Sequence, residues 1–253
     1  MSGLPPVAPL GAVQFLTRVP IRLRAAPDLA ACVPWFPIVG GAIGASVGAV
    51  VAGLMEVVPA LVAAAVGVVF GVVLTGAFHE DGLADTADAL GGWSQEQRRE
   101  ILKDSRHGSY GVAALCSTIV IRIVCVASLG PAAAFAGLVA AHTLGRGAAV
   151  AVMGTAPPVP GGGLGADYAR GLTPTRTVSG VAVALAVAAV ATGWWVLPLA
   201  ATAAVGAVVV AIVAHRALGG ASGDVLGAVE QVGENLVLVV VSGLALHHPL
   251  WWA

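Results

Sequence analysis

Long apolar runs separated by short polar stretches dominate the chain. A helix needs about 17–25 predominantly apolar residues to cross the hydrocarbon of a bilayer. Proline and glycine punctuate the runs, with tight turns expected at 56–59, 130–131 and 197–198. The pattern predicts an all-α fold, a polytopic integral membrane helical bundle of about six to seven transmembrane helices in a single domain, residues 1–253. The predicted spans are 35–55, 59–78, 110–129, 132–153, 178–197, 198–214 and 236–250.

The distribution of cations predicts the orientation of this bundle. Alternation of the spans places loops 1–34, 79–109, 154–177 and 215–235 on one side of the membrane. Ten of the 12 lysines and arginines fall in these loops, and the opposite turns contain none. By the positive-inside rule we expect a multi-pass protein of the cell inner membrane with these loops in the cytoplasm. The ten cations are Arg18, Arg22, Arg24, Arg98, Arg99, Lys103, Arg106, Arg170, Arg176 and Arg216.

Composition supports a lipid environment and excludes one class of partner. Apolar residues make up 58% of the 253 residues and charged residues only 10%, where a soluble domain carries roughly 25% charged residues. The net charge of −1 and the absence of a basic stripe argue against nucleic acid. Gly40, Gly44 and Gly48 predict close helix packing. We interpret Gly161–Gly163 as a flexible connector rather than a phosphate cradle.

The segment 79–109 is predicted to be a cytoplasmic acidic catalytic loop. Asp81, Asp85 and Asp88 are spaced i, i+4, i+7, which places three carboxylates on one helical face. Like charges this close repel one another unless a cation neutralises them. Oxygen ligands suit a hard ion, so the spacing predicts a Mg²⁺ site, with a solvated acidic loop as the alternative. Glu80, on the adjoining face, is assigned to substrate binding.

Basic residues follow the acids in the same loop. Lys103 and Arg106 are predicted catalytic residues that contact phosphate, with Asp104 beside them as a substrate-binding candidate. Acids followed by cations are typical of phosphoryl transfer, in which a metal and basic groups stabilise the developing charge. The alternative is ordinary flanking charge, which we favour for Arg98 and Arg99.

Two further groups of ionisable residues lie in or beside the predicted spans. Charges in hydrocarbon cost at least ~2.5–3.5 kcal/mol, so they usually face a polar interior. Arg146 is the better functional candidate, predicted to bind substrate, and Arg122 is a candidate structural anchor. In the last loop Asp224 is a catalytic candidate or a helix N-cap. Glu230 and Glu234 are predicted to face the same cavity as the acidic loop and to bind substrate.

Four motifs occur in order along the chain and carry a family resemblance. They are Phe15-Leu-Thr-Arg-Val-Pro20, His79-Glu-Asp-Gly-Leu-Ala-Asp-Thr-Ala-Asp88, Lys103-Asp-Ser-Arg-His-Gly108 and Gly223-Asp-Val-Leu-Gly227. Together, across residues 15–235, they resemble the cobalamin synthase family, the adenosylcobinamide-GDP ribazoletransferases. The resemblance implies a Mg²⁺-dependent membrane enzyme that joins adenosylcobinamide-GDP to α-ribazole or its 5′-phosphate. The products would be adenosylcobalamin or its 5′-phosphate, and GMP.

Site roles follow as hypotheses. Asp81, Asp85 and Asp88 would bind the metal, Lys103 and Arg106 the phosphates, and Asp224 would supply a second metal contact or a base. The acidic block also resembles, more loosely, the signature of CDP-alcohol phosphotransferases, whose final acid is a candidate base, here Asp88. It departs from that signature, because Ala84 comes one residue early and Asp85 stands where an arginine is expected.

Other functions remain open at this point. A lipid enzyme of the CDP-alcohol phosphotransferase type would perform the same chemistry on another acceptor. A membrane transporter would place ionisable residues near the midplane in two related halves, which the one-sided acids do not favour. A scaffold in a corrinoid-assembly complex would tolerate loss of the carboxylates. A homo-oligomer is a further expectation for the assembly of the chain.

Overall fold

A computed structural model describes residues 7–23, 25–104, 106–159 and 164–253. The predicted connector at Gly161–Gly163 lies outside these residues. Apart from one isolated bridge between Pro158 and Ala221, the described secondary structure is helical, which confirms the all-α prediction. The helices are α1 (Val7–Leu16), α2 (Leu29–Cys32), α3 (Phe36–Met55), α4 (Ala60–Thr75), α5 (Phe78–Ala89), α6 (Gln95–Ile101), α7 (Ser109–Ala127), α8 (Pro131–Thr155), α9 (Leu164–Ala169), α10 (Pro174–Thr192), α11 (Val196–Leu218) and α12 (Gly223–Ala245).

Several helical stretches are long and apolar enough to cross a membrane, so the chain is a multi-pass membrane protein. Five stretches in the described residues qualify individually, and the bent pair α4 and α5 qualifies as a sixth. The five are Leu29–Met55, Ser109–Ala127, Pro131–Thr155, Pro174–Leu218 and Gly223–Ala245.

The 45-residue stretch Pro174–Leu218 doubles back on itself. Gly193 adopts φ +61°, and Val181 of α10 and Ala207 of α11 line one cavity against α8. Two antiparallel arms of 19 and 23 residues result, each long enough to span. The turn predicted at 197–198 is therefore wrong by a few residues. Pro198 instead occupies the first turn of α11, where a backbone N–H has no intrahelical partner to lose.

The last span also begins elsewhere than predicted. Helix α12 runs from Gly223 to Ala245, so the predicted span 236–250 starts 13 residues too late (236 − 223) and ends too late. Its first half contains Glu230 and Glu234, which an apolar-run criterion rejects. The structure buries both carboxylates, because cations on other helices accompany them.

Helix α8 is the centre of the bundle, with 89% of its apolar window buried. Helices α3, α10 and α12 pack around it. A Cβ atom at Gly48 would lie 2.9 Å from the Phe135 Cα atom, and at Gly40 and Gly44 it would meet the α8 backbone directly. The glycine stripe therefore serves close helix packing, as predicted.

Helix α5 crosses the end of the bundle at 89° to α4. The turn between them places Gly76 at φ +69° and Ala77 at φ +57°, a left-handed conformation that costs a non-glycine residue roughly 1–2 kcal/mol. Gly82 lets α5 lie directly on α12, since a Cβ there would be 2.8 Å from the Asp224 carbonyl oxygen. The bend and this contact hold the acidic helix across the spans.

Loops and helix ends of one side join into a polar layer, which we call the charged side. Arg99 Nε donates to the Leu218 carbonyl at 2.8 Å, and Arg176 Nη2 donates to Asp28 Oδ2 at 3.2 Å. At the other end of the bundle the Trp252 indole donates to the Ala191 carbonyl at 2.8 Å. Helices α5 and α6 and the N-termini of α7 and α12 therefore share the charged side.

Candidate active site

The acidic face of α5 meets the loop that precedes α7. His107 lies between two carboxylates, with Nε2 3.7 Å from Asp81 Oδ1 and Nδ1 3.6 Å from Asp85 Oδ1. One ligand atom from each of the three residues lies within 4.8 Å of the others. The Asp81 side chain is 62% exposed and that of Asp85 18%. The predicted helical face is therefore formed, and it is open to a ligand.

Asp88, on the same face, contacts the backbone. Its Oδ2 accepts from Gly108 N–H at 2.7 Å and its Oδ1 from Gly111 N–H at 2.8 Å. A carboxylate is stabilised at a helix N-terminus by such amides and by the helix dipole. A Cβ atom at Gly108 would come within 2.6 Å of Asp88 Oδ1, so a side chain there would displace this carboxylate. Asp88 thus holds the start of α7 against α5, and its metal and base roles remain predictions.

Asp224 joins the acidic face from α12. It lies in the first turn of that helix, where Ser222 is the N-cap, so the N-cap alternative for Asp224 is wrong by two residues. Burial raises the pKa of the Asp85 carboxyl to about 6, and the nearby carboxylates of Asp81 and Asp224 add to this shift. Three acids from two helices therefore repel one another at one place, as a cation-binding site requires.

The basic loop divides into two parts. Lys103 and Arg99 line a cavity next to Asp81, although Arg99 was predicted to be only a flanking charge. Arg106 is 87% exposed and pairs with Asp104, its Nη2 2.7 Å from Asp104 Oδ2, and this contact lowers the pKa of the Asp104 carboxyl to about 2. Neither Asp104 nor Arg106 lines the cavity in the described part of the chain, so their site roles gain no structural support.

The cavity has a volume of about 420 Å³ and reaches from the acidic face into the bundle. Its walls combine charged and aromatic side chains from α1, α3, α5, α6, α8, α9 and α12. The charged and polar wall includes His79, Asp81, Arg99, Lys103, Arg146, Ser222 and Asp224, and the aromatic wall consists of Phe15, Phe36, Phe78 and Tyr168.

A buried ion network lies beneath α5. Arg122 donates to Glu80 Oε1 at 2.9 Å and to Glu234 Oε1 at 3.2 Å. Arg146 donates to Glu230 Oε1 at 2.6 Å. Three glutamates of this network are at most 5% exposed: Glu80, Glu230 and Glu234. Among the residues that the structure describes, none of the three lines the cavity.

These contacts give no structural support to substrate binding by the three glutamates, which stays a prediction. They serve as internal counter-ions, because a buried charge without a partner is very costly. Arg122 joins α5 and α12 through Glu80 and Glu234, in agreement with a structural anchor. Arg146 reaches both Glu230 and the cavity, which agrees with its predicted contact with a substrate.

Comparison with known proteins decides the family. The family model described as cobalamin-5-phosphate synthase matches residues 8–242. The chain belongs to this family. It is 36% identical to the adenosylcobinamide-GDP ribazoletransferase of Azorhizobium caulinodans over 260 aligned positions, covering 94% of this chain and 96% of the relative. The protein of that name from Herpetosiphon aurantiacus is 34% identical, with 94% and 97% covered, and that from Bradyrhizobium diazoefficiens is 40% identical, with 69% and 68% covered. No solved structure gives a significant match.

Membership of the cobalamin-5-phosphate synthase family makes this chain a transferase of cobalamin biosynthesis. The matched residues 8–242 include the whole acidic face, both walls of the cavity and the buried network. The site therefore lies within the family's shared region.

Sequence reasoning did not place His107 against the acidic face, and it missed the aromatic wall of the cavity. His107 follows Asp85 by 22 residues (107 − 85), and only the return of the chain onto α5 brings them together. The aromatic wall draws on four separate segments. One signal was available, since Phe15 and Phe78 stand at or next to two of the four motifs.

Proposed function

We propose that the chain is a Mg²⁺-dependent adenosylcobinamide-GDP ribazoletransferase. A hydroxyl of α-ribazole, or of its 5′-phosphate, would form a bond to the phosphorus nearest the corrinoid. The pyrophosphate P–O bond to GMP would break, and the hydroxyl proton would pass to a base. The proposal rests on one observation, which is that Asp81, Asp224 and Lys103 line the same cavity.

The donor set fits a divalent cation. Asp81, Asp85 and Asp224 offer carboxylate oxygens from two helices. Burial raises the pKa of the Asp85 carboxyl to about 6, and repulsion from Asp81 and Asp224 adds to this shift. Oxygen donors suit Mg²⁺, whereas imidazole suits softer ions. Asp81 and Asp85 would therefore hold the metal, with His107 beside them and Asp224 close by on α12. When bound, the ion supplies charge neutralisation at the pyrophosphate oxygens.

Side chains of the cavity account for the remaining requirements. Lys103, Arg99 and Arg146 line it and would bind and orient phosphate oxygens. Asp224 lines the cavity, and the oxygens of Asp88 are held by backbone amides. Asp224 is therefore better placed than Asp88 to take the proton of the acceptor hydroxyl.

The inner membrane with the charged side in the cytoplasm is part of the proposal. Cations that favour this orientation lie on segments that contact one another in the structure. Arg99 donates to the Leu218 carbonyl, and Arg176 donates to Asp28. The positive-inside rule then directs this side inward.

The test is synthesis by the purified full-length protein. With adenosylcobinamide-GDP and α-ribazole, we expect corrinoid product and GMP, abolition by EDTA and recovery on adding excess Mg²⁺. Asp81→Asn should be inactive, and Glu96→Gln, an exposed acid on α6, should be fully active. No product from these substrates, or turnover of CDP-diacylglycerol with an alcohol acceptor instead, would refute the assignment.

A further inference from the structure

The aromatic wall of the cavity is a continuous surface built from four helices. The Phe15 ring centroid lies 5.4 Å from that of Phe36, 4.9 Å from Phe78 and 4.3 Å from Tyr168. Rings in such contact form a rigid apolar surface, since each limits the rotation of the next. The wall faces a cavity whose other side is charged, so the cavity fits a ligand with one flat apolar end and one polar end.

Phe78 is the most exposed member of the wall. It is 38% exposed, whereas Phe15 is partly buried and Phe36 and Tyr168 are each 5% exposed. A phenylalanine at the start of a helix that lies across the bundle end could have packed fully inward, as those two do. Its exposed ring borders the cavity and can stack on a planar ring of a ligand.

The distance from the aromatic wall to the acidic face matches a nucleoside. Phe78 and Asp81 are three residues apart on α5, which places their Cβ atoms about 5–6 Å apart. A heterocyclic base stacked on Phe78 would therefore place its attached sugar beside Asp81 and Asp224. This is the position at which a sugar hydroxyl must react.

The size of the cavity excludes the corrin ring. Its volume of about 420 Å³ is near the lower end of the roughly 300–1,000 Å³ of small-molecule sites. A nucleoside fits this space, and a corrin macrocycle with its amide side chains does not.

We propose that the cavity is the subsite for the acceptor nucleoside, with the bicyclic aromatic base of α-ribazole against the aromatic wall and its ribose toward Asp81 and Asp224. The identity of this ligand rests on the proposed function. The corrin ring stays outside the mouth, and only its phosphate arm reaches the acidic face. The wall thus sets specificity for a planar base and has no part in corrinoid binding.

Two measurements on the full-length protein in detergent test the subsite. Equilibrium dialysis with α-ribazole alone gives a Kd without turnover, and steady-state assays give KM for each substrate. We expect Phe78→Leu to raise the Kd and KM for α-ribazole about tenfold, with the KM for adenosylcobinamide-GDP unchanged. Phe78→Tyr keeps the ring and should keep the affinity. Phe70→Leu, at a partly buried position on α4 that packs against the core, is the matched control and should behave as wild type.

A second variant fills the cavity from another helix. Ala149 of α8 lines it, so Ala149→Leu should also weaken α-ribazole binding and spare the corrinoid substrate. Unchanged α-ribazole binding in both Phe78→Leu and Ala149→Leu would overturn the subsite, as would an equal loss of affinity for adenosylcobinamide-GDP. If wild type binds α-ribazole through Phe78 but yields no product, the subsite stands and the proposed function fails. If the wild type yields product but Phe78→Leu does not change α-ribazole binding, the proposed function stands and the subsite fails.

Discussion

Replacing Arg122 with methionine would remove the arginine that Glu80 and Glu234 share inside the bundle, while Glu234 would keep its contact with His142, whose Nδ1 lies 2.8 Å from Glu234 Oε2. Arg122 is 4% exposed and holds Glu80 of α5 at 2.9 Å and Glu234 of α12 at 3.2 Å. Removing one partner of a buried ion pair costs ~3–5 kcal/mol, because the other charge remains desolvated. In a chain of this length each kcal/mol shifts Tm by about 2–4 °C. We expect Arg122→Met to lower Tm by roughly 6–20 °C.

Buried thiols provide the assay. Cys125 is 8% exposed and Cys32 is fully buried, while Cys116 is exposed. In a Cys116→Ser background, a thiol-reactive dye added during heating reports unfolding of the bundle. The control is Arg106→Met, which breaks an ion pair whose arginine is 87% exposed and should leave Tm unchanged, since exposed pairs contribute little.

A compensated variant separates charge from packing. Arg122→Met combined with Glu80→Gln and Glu234→Gln removes the unpaired charges and keeps the shapes. Most of the lost Tm should return, as it does when a buried ion pair is replaced as a unit. A Tm for Arg122→Met within two or three degrees of wild type, or no recovery in the triple variant, would refute this account of the network.

Three further predictions concern the acidic face. Asp88→Asn should reduce Tm by weakening the cap of α7, at a cost of about 1 kcal/mol. It should leave the Mg²⁺ concentration for half-maximal activity unchanged, and an increase in that concentration would instead indicate a direct metal ligand. Asp85→Asn should raise that Mg²⁺ concentration at least tenfold in an activity titration, and wild-type behaviour would exclude it as a ligand. Gly82→Ala should lower both Tm and activity because its Cβ would meet the α12 backbone at 2.8 Å. Gly53→Ala, with nothing within 4 Å, should raise helix stability by about 0.5–1 kcal/mol, and equal Tm values for the two variants would contradict the packing argument.

The features that local pattern determines were predictable from the sequence. Apolar runs gave the spans, and the i, i+4, i+7 spacing gave a helix with Asp81, Asp85 and Asp88 on one face. Both patterns depend on residues that are close in sequence, so they could be recognised without knowledge of the tertiary structure.

The errors arise where a residue's partner is distant in sequence. Glu230 and Glu234 appeared too polar for a span because Arg146 and Arg122 lie on other helices, 84 and 112 residues away. Asp88 also has partners that are distant in sequence, because the amides that it caps come 20 and 23 residues later, and its metal role stays a prediction. In each case a carboxylate can bind a metal ion, pair with an arginine or accept hydrogen bonds from the amides of a helix N-terminus. Only the fold selects among these partners.

The buried network explains how α5 can carry repelling acids across the end of the bundle. His79 and Glu80 point inward, where Glu80 binds Arg122 and His79 Nδ1 lies 3.4 Å from Glu230 Oε2. Asp81 and Asp85 follow on the outer face, where their repulsion opposes close packing of α5. The inward ion pairs resist that repulsion through contacts with α7 and α12, and a cation between the acids would remove it. Consecutive residues of one short helix thus connect stability inside the membrane to the proposed metal site at its surface, and on this proposal a loosened network should weaken metal affinity before it unfolds the bundle.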